Sequence, residues 1–158
     1  MSSEITSRRP VLSPEEQPSI FRPDSLGRLQ GLVPGADIVL PGPSGRITNP
    51  PEGTIAVYEI QFKYGCRFPF SSFFESVLQR LNICLAQLAP NGIAHLVAFE
   101  ELAESSGLQG FTEDAFFHFF GLSIGTDNWH YLRGRRGLKL FDGARLANHF
   151  WRDKFFYV

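Results

Sequence analysis

The chain has 158 residues, of which 43% are hydrophobic and 20% are charged, and its formal net charge is −1. The length suits one domain, and the near-neutral charge argues against a protein that coats nucleic acid through bulk positive charge. No apolar run reaches the roughly 18–20 residues of a membrane-spanning helix, and the start MSSEITSRRP lacks the apolar stretch of a secretory signal. We therefore expect no membrane contact and an intracellular location, with the nucleus and the cytoplasm both open.

Proline and phenylalanine divide the chain into two unequal parts. Nine of the eleven prolines lie at or before Pro51, whereas fifteen of the sixteen phenylalanines lie after residue 53. A segment with so few apolar side chains cannot bury enough surface to offset its conformational entropy. The sequence therefore predicts a disordered Pro/Gly/Ser-rich leader over 1–53 and a folded domain over 54–158. Within the leader, only 36–40 resembles a strand or a partner-binding segment.

Three helices are predicted in the first part of the folded domain. The segment 55–62 before them fits a strand or a short helix, and its residue types favour extended structure. The first helix begins near Ser71, where Ser72 and Glu75 have the spacing of a capping box. The second begins at Pro90 and ends before Gly107, and the third begins at Thr112 and ends before Gly121. Apolar residues recur at helical spacing along all three helices, which predicts that they pack together.

The last part of the chain predicts β structure. Two strand-like runs, Trp129–Leu132 and Leu138–Phe141, flank the turn 134–137 and predict a β-hairpin over 129–141. A short helix over 144–149 and an apolar strand at 155–158 follow. The fold class is therefore mainly α with a small β component (α+β). Since termini are usually polar, the apolar end predicts that the chain is truncated at its C-terminus.

Several short motifs of one known domain family occur in this sequence in the order that the family has. The residues that match the family's motifs lie in the helical part and in the aromatic segments that follow it: Arg67, Pro69, Phe73, Val77, Leu78, Gln87, Leu88, Pro90, Asn91, Phe99, Glu100, Phe116, Phe120, Leu122, 129–133 and 151–158. Over roughly residues 55–158 the sequence resembles the plant “putative gypsy-type transposon” domain family. The resemblance implies a retrotransposon-derived plant protein, but it implies no activity, because the family name describes an origin.

The sequence lacks the residue patterns of the enzymes that retroelements encode. A transposase or integrase needs three carboxylates that hold two metal ions. Glu100, Glu101 and Glu104 are close in sequence, but they are predicted on the solvent-exposed face of a helix. Asp142-Gly143 lacks the hydroxyl residue that a retroviral-type protease has between aspartate and glycine. We therefore expect no catalytic residue, no cofactor and no small-molecule substrate.

Cysteine and histidine also fail to form a metal site. Cys66 and Cys84 are eighteen residues apart with no histidine between them, which does not match a zinc knuckle. Both are interpreted as reduced, partly buried thiols. The four histidines, His95, His118, His130 and His149, lie far apart in the sequence. His95 and His118 fall within apolar helices and are interpreted as hydrogen-bonded core or boundary residues. No metal ligand is assigned.

The predicted hairpin carries a local excess of positive charge. Seven basic and two acidic residues lie between Arg133 and Val158. Aromatic residues lie within this segment, at Phe141 and Trp151, and just before it, at Trp129 and Tyr131. Arginine and lysine near exposed rings can contact phosphates and stack unpaired bases. The candidate nucleic-acid-binding residues are Arg133, Arg135, Arg136, Lys139, Arg152 and Lys154.

Three hypotheses for the function remain at this stage. The first is a non-enzymatic structural or interaction module of a gypsy-type element, whose partner is a second copy of the chain. The second is a module that binds RNA or DNA through the hairpin 129–141. The third is a metal-dependent transposase or endonuclease, which would require a carboxylate cluster.

Overall fold

The computed structural model describes residues 12–125, 129–138, 140 and 151–158. The helices in these residues are α1 (Leu26–Leu32), α2 (Glu59–Lys63), α3 (Ser72–Leu81), α4 (Pro90–Ser105) and α5 (Glu113–Phe119). The strands are β1 (Ala56–Tyr58), β2 (Phe120–Ile124), β3 (His130–Gly134) and β4 (Phe155–Tyr157). Short 3₁₀ turns lie at Pro23–Ser25 and Leu85–Gln87. The predicted α+β class is confirmed.

The three predicted helices correspond to α3, α4 and α5. The cap of α3 is Ser71 rather than Ser72, because the Ser71 hydroxyl accepts the Phe74 N–H at 3.1 Å. Helix α4 begins at Pro90 as predicted, where a missing N–H leaves no helical bond unmade. Helix α5 ends at Phe119, one residue earlier than predicted, because Phe120 already belongs to β2.

The main hydrophobic core is built around phenylalanine rings from these helices. Phe116 is completely buried, and its ring centroid lies 4.7 Å from that of Phe120 and 5.4 Å from that of Phe99. Phe73 from α3 stacks on Phe99 from α4 at 5.6 Å. Offset and edge-on ring pairs of this kind add to the free energy of burial, so this cluster holds α3, α4 and α5 together.

The two ends of the domain meet in an antiparallel pair of strands. β1 pairs with β4 in the register Ala56 with Tyr157 and Tyr58 with Phe155. The predicted extended segment over 55–62 is thus a strand only to Tyr58, since Glu59 begins α2. β4 is buried along its whole length, which explains its apolar sequence. A second cluster packs beside this pair and contains Tyr58, Trp129, Trp151 and Phe155.

The β-hairpin has a different partner strand from the predicted one. β3 pairs with β2, in the register Phe120 with Gly134 and Ile124 with His130. The turn after β3 exists, with Gly137 at φ +78°, but Leu138 beyond it lies in no strand. Lys139, Phe141 and the predicted helix 144–149 lie outside the described residues. The true partner strand, β2, begins inside the predicted third helix, because the phenylalanines up to Phe120 also fit helical spacing.

Part of the predicted leader packs on the domain. Residues 1–11 lie outside the described residues, but within 12–53 the side chains of Phe21, Leu29 and Val33 are buried in the main core and Ile47 is buried in the second cluster. The edge of Phe21 meets the ring of Phe156, at 6.1 Å between centroids. The expectation of disorder across 1–53 therefore differs from the structure of residues 12–53. These four side chains suffice because each one is buried in a cluster that the folded part provides.

Glu59 links this leader to the domain through two ion pairs. Its buried carboxylate accepts from Arg28 of α1 and, at 2.9 Å, from Lys63 of α2. Burial opposes the charged form, but the hydrogen bonds from Lys63 and Arg28 outweigh it and lower the pKa of Glu59. The charged Glu59 side chain therefore stabilises the folded state at pH values above its ordinary pKa of 4.5. This stabilisation is lost as the pH falls through the lower pKa that Glu59 has in the folded state.

We expect the Glu59→Gln variant to be about 1–2 kcal/mol less stable than the natural chain at pH 7, because two cations lose a charged acceptor. The difference should shrink as the pH falls below 4.5. Urea unfolding of both chains between pH 7 and pH 3 measures it. A difference that stays constant across this range would contradict the assignment.

Candidate functional site

The hairpin of β2 and β3 presents two surfaces that the core does not cover. Hydrogen-bonded and non-hydrogen-bonded residue pairs alternate along the two antiparallel strands. The backbone groups of Gly121 and Ser123 therefore bond to β3, whereas those of Phe120, Leu122 and Ile124 point away from β3. The neighbouring bond from the Gly125 N–H to the Trp129 carbonyl, at 2.9 Å, agrees with this assignment. On the far side of β3, the His130 carbonyl accepts the Ala89 N–H at 2.9 Å.

One surface is basic and centres on Arg135. The Arg135 Nε donates to the carbonyl of Phe117 at 2.9 Å, and its backbone N–H donates to that of Phe119 at 2.7 Å. Its guanidinium lies above Gly121, 3.6 Å from the position that a Cβ would take. Arg135 therefore crosses from the turn to the end of α5, in space that a glycine leaves open.

Arg133 and Arg136 lie on either side of this arginine. Arg133 is paired across the strands with Gly121, so its exposed side chain leaves the sheet on the face that Arg135 covers. Its guanidinium carbon is 5.7 Å from the ring centroid of Tyr131. Arg136 is exposed in the turn. Neither forms an ion pair with a described carboxylate.

Arg80 of α3 joins this group and was missed in the sequence analysis. Its guanidinium carbon lies 4.8 Å from the ring centroid of Phe117, the residue whose carbonyl holds Arg135. Arg80 is also paired with Asp114, whose side chain is 81% exposed. Arg80 is more than fifty residues from Arg133 in sequence, and no local pattern marks it. We call Arg80, Arg133, Arg135 and Arg136 the arginine surface.

Two of the other predicted contact residues, Arg152 and Lys154, lie elsewhere. Arg152 is stacked against the second cluster, with its guanidinium carbon 5.8 Å from the Trp129 ring and 5.6 Å from the Trp151 ring. Trp129 precedes β3 by one residue, so about 13 Å of strand separates this position from Arg133. Lys154 follows Trp151, and its backbone carbonyl accepts the Glu59 N–H. Lys139 lies outside the described residues. The structure thus groups three of the six predicted residues.

The second surface is the outer edge of β2. Leu122 is 40% exposed and Ile124 is 64% exposed. Among the described residues, no backbone group outside the hairpin bonds to either of them. The strand sequence FGLSI contains neither a charged residue nor a proline, the residues that commonly protect a strand edge from pairing with another chain.

A cavity of about 560 Å³ lies apart from both surfaces. Its walls are mainly apolar and include Ile47, Leu78, Leu85 and Trp129. Cys84 stands on this wall and is exposed, so it is not the partly buried thiol predicted from the sequence, whereas Cys66 is buried. Both cysteines are free.

Burial raises the pKa of Cys66 to about 12, which keeps its thiol protonated and unreactive at neutral pH. We therefore expect a chromogenic disulfide reagent to modify one thiol quickly in the folded chain and both thiols in urea. The Cys84→Ser variant should remove the fast reaction. A fast reaction that persists in this variant would contradict the burial of Cys66.

Within the described part of the chain, no three side chains among the histidines, cysteines, aspartates and glutamates lie close enough to hold a metal ion. Burial lowers the pKa of His95, whose ring lies 4.8 Å from that of Phe120, as expected of a boundary residue. His118 is exposed rather than in the core, and His149 lies outside the described residues. No described helix is long and apolar enough to cross a membrane.

The fold and these surfaces define a small α+β domain with an uncovered strand edge next to a group of arginines. Residues 56–124 match the model of the family described as “Putative gypsy type transposon”. The match confirms the resemblance to this family over residues 56–124. It covers β1 to β2 and stops before β3, so the resemblance over 125–158 stays a prediction. No curated protein and no solved structure matched the chain.

Proposed function

We propose that this domain is a structural interaction module that pairs with a second copy of itself along the outer edge of β2. The observation that carries the proposal is the uncovered edge, on which Leu122 and Ile124 are exposed and their outward backbone groups bond to no described residue outside the hairpin. An edge strand with unpaired N–H and C=O groups is a template for another strand.

The strand is complementary to itself. When two copies of β2 run antiparallel with Leu122 opposite Leu122, the two leucines exchange both backbone bonds and the Ile124 N–H donates to the carbonyl of the other copy's Phe120. The Phe120 N–H takes no part, since it already donates to the Phe116 carbonyl at the end of α5. The exposed side chains of Leu122 and Ile124 then cover each other across the new pair.

Arg135 reaches over Gly121 of β2, so its charge lies nearer the new pair than that of Arg133. Arg133 lies on β3, so in the four-stranded sheet β3–β2–β2–β3 the two copies of Arg133 are about 14 Å apart across three strand spacings. That separation exceeds the Debye length of about 8 Å at physiological salt. Because the paired strands are short, we expect a transient dimer that forms in roughly the micromolar range.

Sedimentation equilibrium of the full chain tests the proposal. The average mass should rise towards twice the chain mass with concentration, while the Leu122→Lys and Ile124→Lys variants stay at the monomer mass. The Leu108→Lys variant is the matched control, because Leu108 is 60% exposed in the loop before α5 and should leave the dimer intact. A natural chain that stays monomeric at high concentration, or a dimer unaffected by either strand variant, would overturn the proposal. Ile124→Lys keeps the test valid if Leu122→Lys does not fold.

A further inference from the structure

We infer that the arginine surface binds the phosphate backbone of a single nucleic-acid strand. This site is separate from the outer edge of β2, and it differs from the site predicted from the sequence because it includes Arg80 and excludes Arg152 and Lys154. The inference starts from contacts that join three parts of the chain. Arg80 from α3 covers the Phe117 ring, and Arg135 from the turn binds the Phe117 carbonyl. Arg133 is paired across the strands with Gly121, the residue that the Arg135 guanidinium covers.

The residue type suits phosphate. All four side chains are arginines, whose planar donors can bind two phosphate oxygens at once and whose flat faces can stack on bases. Three are already held by their own chain: Arg80 by Phe117 and Asp114, Arg133 by Tyr131, and Arg135 by the Phe117 carbonyl. Side chains that are held in advance lose less conformational entropy when a ligand binds.

The charge on this surface is not neutralised by its described neighbours. Asp114 of α5 is the one described carboxylate that pairs with these arginines, and its pair with Arg80 is exposed on both sides. Exposed ion pairs contribute about 0–1 kcal/mol, so a phosphate can replace Asp114 at Arg80 at little cost. The other three arginines have no described carboxylate partner.

A single strand fits this surface better than a duplex. The arginines come from a strand, a turn and the last turn of a helix, and none of the described helices carries a basic face that could enter a major groove. The half-buried rings of Tyr131 and Phe117 lie directly against Arg133 and Arg80, where an unpaired base can stack.

Fluorescence anisotropy of the full chain with a labelled single-stranded RNA tests the inference, with single-stranded DNA, duplex DNA and heparin as further arms. With four phosphate contacts and a salt slope of about 0.7 per contact, raising salt from 50 to 200 mM should weaken binding by roughly 50-fold. RNA and DNA strands that bind alike identify the shared phosphate backbone. A preference for one identifies further contacts to its sugar or bases.

Variants locate the site. Arg80→Ala and Arg136→Ala should each weaken binding by about 3–10-fold and lower the salt slope by roughly 0.7, whereas Arg67→Ala, which removes an exposed arginine elsewhere, should change neither. Arg136→Lys should retain most of the affinity. No binding at 50 mM salt, equal loss in Arg67→Ala, or tighter binding to heparin or duplex DNA than to single strands would overturn the inference.

Discussion

A chain that lacks residues 1–53 is expected to lose its cooperative unfolding transition. Four apolar side chains from this segment are buried: Phe21, Leu29, Val33 and Ile47. Fully burying such a side chain contributes about 1.5–3 kcal/mol, so together they approach the total stability of about 5–15 kcal/mol that a domain usually has. Thermal and urea unfolding of residues 54–158, followed by circular dichroism, measures the loss.

Two leucines of α1 provide a matched control for this result. Leu29 is completely buried, whereas Leu26, three residues earlier on the same helix, is 41% exposed. We expect Leu29→Ala to cost about 2–5 kcal/mol and Leu26→Ala no more than about 0.5 kcal/mol. If the shortened chain unfolds cooperatively at the same urea concentration as the full chain, or if the two leucine variants are equally stable, the leader does not pack as described.

The second large effect is expected at the centre of the phenylalanine core. Phe116 is fully buried and its ring contacts those of Phe73, Phe99, Phe117 and Phe120. Phe116→Ala removes these contacts and leaves a cavity between α3, α4 and α5, which should cost about 3–5 kcal/mol. Urea unfolding of the full chain measures the difference.

Phe119 of the same helix is the comparison for Phe116. It is only half-buried, so Phe119→Ala should cost clearly less than Phe116→Ala. Equal losses at the two positions would contradict the packing of α5 through Phe116.

Local signals explain which elements the sequence predicted. Helices α3 and α4 were predicted because their caps and apolar stripes are contiguous in the chain, as at Ser71 and Pro90. The hairpin was predicted with the wrong partner because two apolar runs could pair with 129–132. The correct run begins at Phe120, in a phenylalanine cluster that also fits a helix. Choosing between the two depends on tertiary packing, which no single segment encodes.

The leader and the arginine surface depend on contacts between distant residues. Composition predicted a disordered leader, yet Leu29 and Phe21 fill sites that α2 and β4 provide. The basic hairpin was found from charge alone, but Arg80 joins it only because α3 packs against α5. Arg152 has the same charge and was included, although its guanidinium lies against Trp129 and Trp151.

The pairing of β2 with a second copy is tested most directly by mixing two charged variants. Because the proposed register places Leu122 opposite its own counterpart, Leu122→Lys and Leu122→Glu each put like charges together and should be monomeric alone. An equimolar mixture should form a dimer of one copy of each, seen as a doubled mass in sedimentation equilibrium, and high salt should weaken it. A mixture that stays at the monomer mass while the natural chain dimerises would contradict this register, and a monomeric natural chain would contradict the pairing itself.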